Sequence, residues 1–212
     1  MFIKILLILA NFRNKFANFV SKKSTIQMAA ANKHNVSKRT IELIIYLASK
    51  LKSKPTYGKV LLEKSLYFCD SMSFLKFGKP ITDFKYIKQE FGPTPEPGKY
   101  LAVRDKLVTA GTLTVLKEQY YKTFQDKFIA NRTADIDVFD KNEIVLIDEV
   151  IDWCGDQNAT DISNYTHDSL AWQLAGNYEE LPFFTFLLTS KTPTDKDRQE
   201  SLKAIEKYLS KS

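Results

Sequence analysis

The side chains best suited to catalysis or metal binding are few in this chain. It has two histidines, His34 and His167, and two cysteines, Cys69 and Cys154, among 212 residues. A structural zinc site needs four ligands in closely spaced pairs, and these four residues show no such spacing, so we expect no metal ion. The members of a cysteine–histidine nucleophile pair meet in space rather than along the chain. A hydrolase that uses His167 with either cysteine therefore stays open as an alternative.

Other residue patterns argue against catalysis and cofactor binding. Both cysteines fall on apolar faces of predicted helices, where a thiol usually packs as a small hydrophobic group. Asp135, Asp137, Asp140 and Glu143 loosely follow a calcium loop, but Asp140 stands where that loop requires glycine. The seven glycines are isolated from one another, so no phosphate-binding loop is expected. The sequence predicts no cofactor and no catalytic residue, and it favours a binding module over an enzyme.

The charge of the chain is unevenly distributed. The chain carries 31 Lys and Arg residues and 25 Asp and Glu residues, but residues 1–36 hold six of the basic ones and none of the acidic ones. Residues 37–212 therefore have no net charge, which is unfavourable for nucleic-acid binding because affinity for phosphates comes from basic residues. The sequence predicts two parts, a basic, partly apolar extension (1–36) and a folded domain (37–212).

The extension has three interpretations. In the first, it is a flexible or wrongly assigned start, since Met28 opens an ordinary N-terminal sequence. In the second, it is a basic amphipathic helix that binds a partner or a membrane. In the third, it is a secretion signal. No membrane contact is expected except through residues 1–27, because the apolar run 5–10 is far shorter than the ~20 residues of a spanning helix. The two cysteines fit a reducing compartment, so we expect the protein in the cytoplasm.

Most of the domain has helical periodicity. Ser37 is a predicted N-cap for a helix that ends before Pro55, and Gly78 is a predicted C-cap for a second helix that begins near Tyr57. Asp140 and Glu143 form a predicted capping box for a helix that reaches residue 155. Further helices are predicted over residues 99–110, 159–165 and 168–175, and from Thr194 onwards.

The remaining segments are predicted to be extended or irregular. Residues 81–91, 112–116 and 119–130 have the composition of strands. Residues 92–98 predict a rigid, non-helical loop because proline fixes φ, and residues 181–189 are either a buried strand or a packed extended segment. A helix followed by two strands is the order of a winged-helix or a small α+β unit. We predict one α+β domain, predominantly α-helical, with a small antiparallel sheet. A winged-helix-like arrangement is one architecture that fits this prediction.

Three segments, taken together and in this order, resemble the SocA-like Panacea family. The first is KSLYFCD (64–70) with GKPIT (78–82), which is similar to the family's K-L-L-Y-F-A-D helix and G-x-P-I-T turn. The second is FGPTP (91–95), similar to Y-G-P-V-P, and the third is ISNYTHDSLAW (162–172), similar to L-S-H-x-x-x-W. Ser65, Cys69 and Thr94 depart from the family pattern by packing substitutions. The resemblance covers about residues 38–190.

The resemblance implies an antitoxin of a bacterial or phage toxin–antitoxin system, which neutralises a co-encoded protein toxin by direct binding. One branch of the family implies a proteolytic adaptor that delivers the toxin to a Clp-type protease. The residue pattern alone leaves a third alternative, a winged-helix-like regulator that binds the DNA of its own operon.

The motif residues are expected to be mainly structural, with Tyr67 and Trp172 filling core space and His167 forming local hydrogen bonds. The structural set comprises Lys64, Leu66, Tyr67, Asp70, His167 and Trp172. Partner contact is expected at the proline-stiffened loop, because a rigid segment loses little entropy on binding. The partner-binding set comprises Lys88, Phe91, Gly92, Pro93, Thr94 and Pro95.

Overall fold

The computed structural model describes residues 36–120, 123–186, 188 and 199. The described residues up to 188 lie in one compact unit, Lys33–Leu188. The predictions made for residues 1–35, and the prediction of a last helix capped by Thr194, concern parts of the chain outside the described residues.

Two helices form the centre of this unit. Helix α1 (Lys38–Leu51) begins after Ser37, whose side chain accepts a hydrogen bond from the backbone nitrogen of Thr40, as the N-cap prediction requires. Helix α2 (Lys59–Phe77) ends at Gly78, which adopts a left-handed φ of +78°. Every side chain of α2 from residue 61 to residue 71 is buried, so α2 lies inside the core rather than on its surface.

A small antiparallel sheet lies against α2 and corrects two predictions. Strand β1 (Tyr86–Gln89) is shorter than the predicted strand 81–91, and strand β2 (Gly92–Pro95) occupies most of the predicted loop 92–98. Strand β2 tolerates two prolines because it pairs only with β1 among the described strands. An edge strand has no second neighbour that needs its N–H donors, so the N–H groups that proline lacks are not missed. The backbone of residues 178–181 follows the other edge of β1, where Tyr178 donates to Lys88 and Leu181 donates to Tyr86.

A helix and a hairpin follow the sheet. Helix α3 (Pro97–Thr109) starts two residues earlier than predicted, since proline at the first helical position lacks only an N–H that would have no partner. Strands β3 (Leu113–Tyr120) and β4 (Thr123–Ala130) pair from Leu113↔Ala130 to Tyr120↔Thr123. Both predicted strands are confirmed, although β3 ends four residues later than predicted and β4 begins four residues later.

The last described elements are helical. Helix α4 (Lys141–Gly155) begins with the predicted capping box of Asp140 and Glu143. Helices α5 (Ala159–His167) and α6 (Leu170–Leu174) follow, and short 3-10 turns occur at Ile136–Val138 and Phe183–Thr185. The 3-10 turn corrects the expectation of an extended segment over residues 181–189.

Ion pairs with buried carboxylates hold α1 against the segment of residues 132–143. Arg132 donates two hydrogen bonds, 2.7 and 2.8 Å long, to the carboxylate of Glu42, and the backbone nitrogen of Asp135 donates a third. The hydrogen bonds from Arg132 are the main reason why the pKa of Glu42 lies below its ordinary value. Arg39 donates one hydrogen bond to the buried carboxylate of Glu143, at 2.7 Å, and another to the carbonyl oxygen of Val138.

The architecture confirms the predicted fold class. The described chain is an α+β unit with a helical majority and two small antiparallel sheets. Within the described residues, no helix is both long enough and apolar enough to span a membrane.

Candidate functional site

A fully buried lysine links the central helix to the small sheet. The Lys64 side chain is 1% exposed, and its Nζ donates a 2.7 Å hydrogen bond to the carbonyl oxygen of Pro93. Burial disfavours the ammonium form and lowers the pKa of Lys64 to about 7. The first residue of the family motif therefore fixes β2 to α2 through an amine whose charged form is destabilised by burial.

Glycine is required at position 92 by both conformation and space. Gly92 has a φ of +95°, which L side chains rarely adopt, and it follows the two-residue turn of Glu90 and Phe91. A Cβ at this position would lie 2.8 Å from Lys64 Nζ and even closer to Thr166 Oγ1. Strand β2 thus contacts α2 and α5 at a point where no side chain fits.

His167 and Trp172 stack on each other beside the same turn. Their ring centroids are 3.8 Å apart with an interplanar angle of 15°. Trp172 Nε1 donates to the carbonyl oxygen of Gln89 at 3.2 Å, which attaches the pair to the end of β1. Burial is the main cause that lowers the pKa of His167, and the nearby Lys64 ammonium lowers it further. A hydrogen bond with the Glu90 backbone acts in the opposite direction and raises it. His167 therefore has a packing role and stays largely neutral.

These residues show that three distant sequence motifs meet in one place. Lys64 comes from α2, Gly92 from the turn into β2, and Thr166, His167 and Trp172 from α5 and α6. We call these five residues the motif cluster. Thr166 was not singled out by the sequence, although a small residue beside a glycine turn is what such close packing needs. Trp172 is half-buried rather than part of the core, which corrects one expectation.

Three further motif residues belong to the core. Asp70 accepts hydrogen bonds from the backbone nitrogens of Ile81 and Thr82 and from the hydroxyls of Thr82 and Tyr86. Burial raises the pKa of Asp70 to about 6, and these four hydrogen bonds oppose the rise. Leu66 and Tyr67 are also buried, and the Tyr67 ring packs edge-on against Tyr86 at 5.1 Å. All three side chains thus lie in the core, as the prediction of a structural role requires.

The six residues expected at a partner surface are not equally accessible. Gly92, Pro93, Thr94 and Pro95 are buried in β2. Lys88 is half-buried, because its Nζ donates to the carbonyl oxygen of Ala175 at 2.8 Å and lies 4.5 Å from the centre of the Trp172 ring. Phe91, at 60% exposure, is the member of this set that presents most of its side chain to solvent.

Neither cysteine is placed to act as a nucleophile. Cys69 and Cys154 are free thiols and fully buried. Burial raises the pKa of both, that of Cys154 to about 12, so the thiolate is strongly disfavoured at neutral pH. Among the described residues, no group of three or more His, Cys, Asp or Glu side chains has a geometry that would hold a metal ion.

An open groove of about 510 Å³ lies between the start of α2 and the β3–β4 hairpin. Lys59, Lys117, Phe124 and Asp126 are among the residues that line it, whereas the residues of the motif cluster do not. The groove thus contains neither the family motifs nor a nucleophile of the kind considered from the sequence.

The comparison with protein families agrees with the location of these motifs. The model of the family described as antitoxin SocA-like, Panacea domain, matches residues 62–173, more than half of the chain. The matched stretch begins just before Lys64 and ends just after Trp172, so it contains the whole motif cluster. Neither the curated proteins nor the solved structures give a significant match. The chain belongs to the SocA-like antitoxin family, and residues 62–173 are its Panacea domain.

Proposed function

We propose that this protein is an antitoxin that neutralises a co-encoded protein toxin by direct, stoichiometric binding. The observation that carries the proposal is the family match over residues 62–173. The motif residues inside this stretch are used to hold helices and strands together, as the Lys64–Pro93 hydrogen bond shows. We therefore expect the toxin to bind the exposed outer faces of the helices rather than the motif residues.

The chemistry of the described residues supports binding rather than turnover. The thiols are buried and protonated, and His167 is packed face-to-face against Trp172. Free thiols that stay reduced are typical of the cytoplasm, so we place the function there.

Co-expression in a bacterial host tests the proposal. The toxin gene next to this chain is induced with and without the antitoxin, and colony counts are measured. We expect the wild-type chain to restore growth and to co-elute with the toxin at a fixed ratio in size-exclusion chromatography with light scattering. Gly92→Asp, which is incompatible with the packing around residue 92, serves as the inactive control. If no neighbouring gene product is neutralised, the proposal fails.

Two alternatives have distinct signatures in the same system. A DNA-binding regulator is favoured by the order of α3 and the β3–β4 hairpin, and it would bind its own promoter with an affinity that falls steeply as salt rises. The hairpin offers little net charge for this, since its three lysines, at 117, 122 and 127, are opposed by Glu118 and Asp126, which leaves a net charge of +1. A proteolytic adaptor would restore growth only in cells that contain the Clp-type protease, and the toxin would disappear rather than accumulate in a complex.

A further inference from the structure

The stretch of the chain from residue 142 to residue 190 is acidic in composition. Residues 142–190 contain nine Asp and Glu residues and no Lys or Arg, although residues 37–212 as a whole have no net charge. This stretch includes α5, α6 and all of α4 except Lys141. Three of its nine acids, Glu143, Asp156 and Glu180, form ion pairs with cations from elsewhere in the domain, so part of the negative charge of the stretch is offset.

Two exposed aromatic side chains lie within this acidic stretch. The ring centroids of Trp153 on α4 and Tyr165 on α5 are 5.0 Å apart, in an edge-on arrangement. Both rings also contact Phe68, a buried residue of α2, at 4.9 and 5.9 Å. The inner sides of Trp153 and Tyr165 therefore pack against the core, while Trp153 remains 38% exposed and Tyr165 54% exposed.

Carboxylates flank both aromatic residues. Glu149 precedes Trp153 by four residues on α4, and Asp161 precedes Tyr165 by four residues on α5, so each acid lies one turn from its ring on the same helical face. Asp152 is exposed next to Trp153. We call Glu149, Asp152, Trp153, Asp161 and Tyr165 the acidic aromatic face.

Few cations oppose these carboxylates within the described residues. Lys54 pairs with Asp156 at 3.1 Å at the end of α4. Lys50 lies over the ring of Tyr46, whose hydroxyl donates to Asp148. Among the described residues, none of the salt bridges involves Glu149, Asp152 or Asp161.

We propose that the acidic aromatic face is the docking surface for the toxin, and that the toxin meets it with a basic surface. This inference rests on the proposed antitoxin function. Trp and Tyr are over-represented among the residues that contribute most to binding, since they bury large areas at little cost in entropy. A ring of carboxylates accelerates the approach of a basic partner and repels acidic ones, nucleic acids among them.

Matched variants test the proposal. Binding of the purified product of the neighbouring toxin gene is measured by calorimetry at low and high salt. Tyr165→Ala is compared with Phe124→Ala, an exposed aromatic of the hairpin. The double reversal Glu149→Lys, Asp152→Lys is compared with Asp137→Lys, an exposed acid on a 3-10 turn. Circular dichroism and thermal melting show that each variant is folded.

We expect Tyr165→Ala and the double reversal each to weaken binding by about tenfold or more, and both control variants to bind within about twofold of the wild type. The effect of the double reversal should diminish in high salt, because exposed charges are screened. Equal binding by all variants would overturn the docking surface and leave the antitoxin function intact. If the wild-type chain itself fails to bind, the antitoxin function is lost and this inference with it.

Two other occupants of the face have their own signatures. If the basic residues 1–27 cover it, deleting them should tighten toxin binding in the wild type but not in the double reversal. If a second copy of this chain covers it, the wild type should sediment as a dimer and Tyr165→Ala as a monomer. Either result would overturn the proposal.

Discussion

Replacement of Lys64 by methionine tests the central buried contact of the motif cluster. Methionine has similar length and volume but no charge and no donor, so it leaves the carbonyl oxygen of Pro93 without its hydrogen bond. An unsatisfied buried acceptor costs about 1–3 kcal/mol, and this cost is the same at every pH. The pH dependence of stability therefore separates the ionisation of Lys64 from its hydrogen bond.

The direction of the pH effect follows from the pKa of Lys64. Its value falls from 10.5 in the unfolded chain to about 7 in the folded one, because burial penalises the ammonium. Between these two pH values the unfolded chain binds the additional proton, so the free energy of unfolding rises with pH. One pKa unit corresponds to about 1.4 kcal/mol, so raising the pH from 7 to 9 should add about 2 kcal/mol for this group.

Urea unfolding at pH 7, 8 and 9, followed by circular dichroism, measures this effect. We expect the wild type to gain stability over this range relative to Lys64→Met, whose curve should be flatter by about 2 kcal/mol. Lys76→Met alters an exposed lysine of the same helix and should keep the wild-type pH dependence. The reasoning is refuted if wild type and Lys64→Met change in parallel from pH 7 to pH 9.

Three further predictions concern the packing around this cluster and the helix caps. Gly92→Ala should lower the free energy of unfolding by about 3 kcal/mol, because backbone strain of about 1–2 kcal/mol is added to a collision with neighbouring side chains. Gly111 also has a positive φ, +69°, but open space around it, so Gly111→Ala should lower the free energy of unfolding only by the backbone strain. Equal losses of stability for the two variants in urea unfolding would contradict this reasoning. Asp140→Ala should cost about 1 kcal/mol through loss of the α4 capping box, and thermal melting that does not change would show that the cap is unimportant. Cys69 and Cys154 should react with iodoacetamide only after denaturation, since both are buried and protonated. Fast alkylation of the native protein, detected by mass spectrometry, would instead revive the hydrolase alternative.

Local signals explain which elements the sequence could predict. Three helix caps were predicted, at Ser37, Gly78 and Asp140. In each cap, the hydrogen-bonded residues are no more than four positions apart. Such contacts are determined by neighbouring residues, and all three were confirmed. The strand composition of β3 and β4 is local in the same sense, although the end of β3 and the start of β4 were each misplaced by four residues.

The predictions that failed depended on contacts between distant residues. Prolines 93 and 95 indicated a loop, but a strand forms there because β1 offers a partner on one edge and Lys64 donates to the carbonyl oxygen of Pro93. The apolar run 181–189 has no period that distinguishes a strand from a turn. Only its packing in the folded chain produces the 3-10 turn at Phe183–Thr185.

The sequence by itself determined the family, because its three motifs stand in the required order, and it determined the helical majority through caps and periodicity. It also contained the acidic composition of residues 142–190, which is a matter of counting. The tertiary structure decided that Lys64 is buried and that Gly92 meets Thr166. It also decided that Trp153 and Tyr165 share one exposed face. The physical reason is that burial and side-chain proximity depend on how helices far apart in sequence pack around α2, and no local pattern specifies that packing.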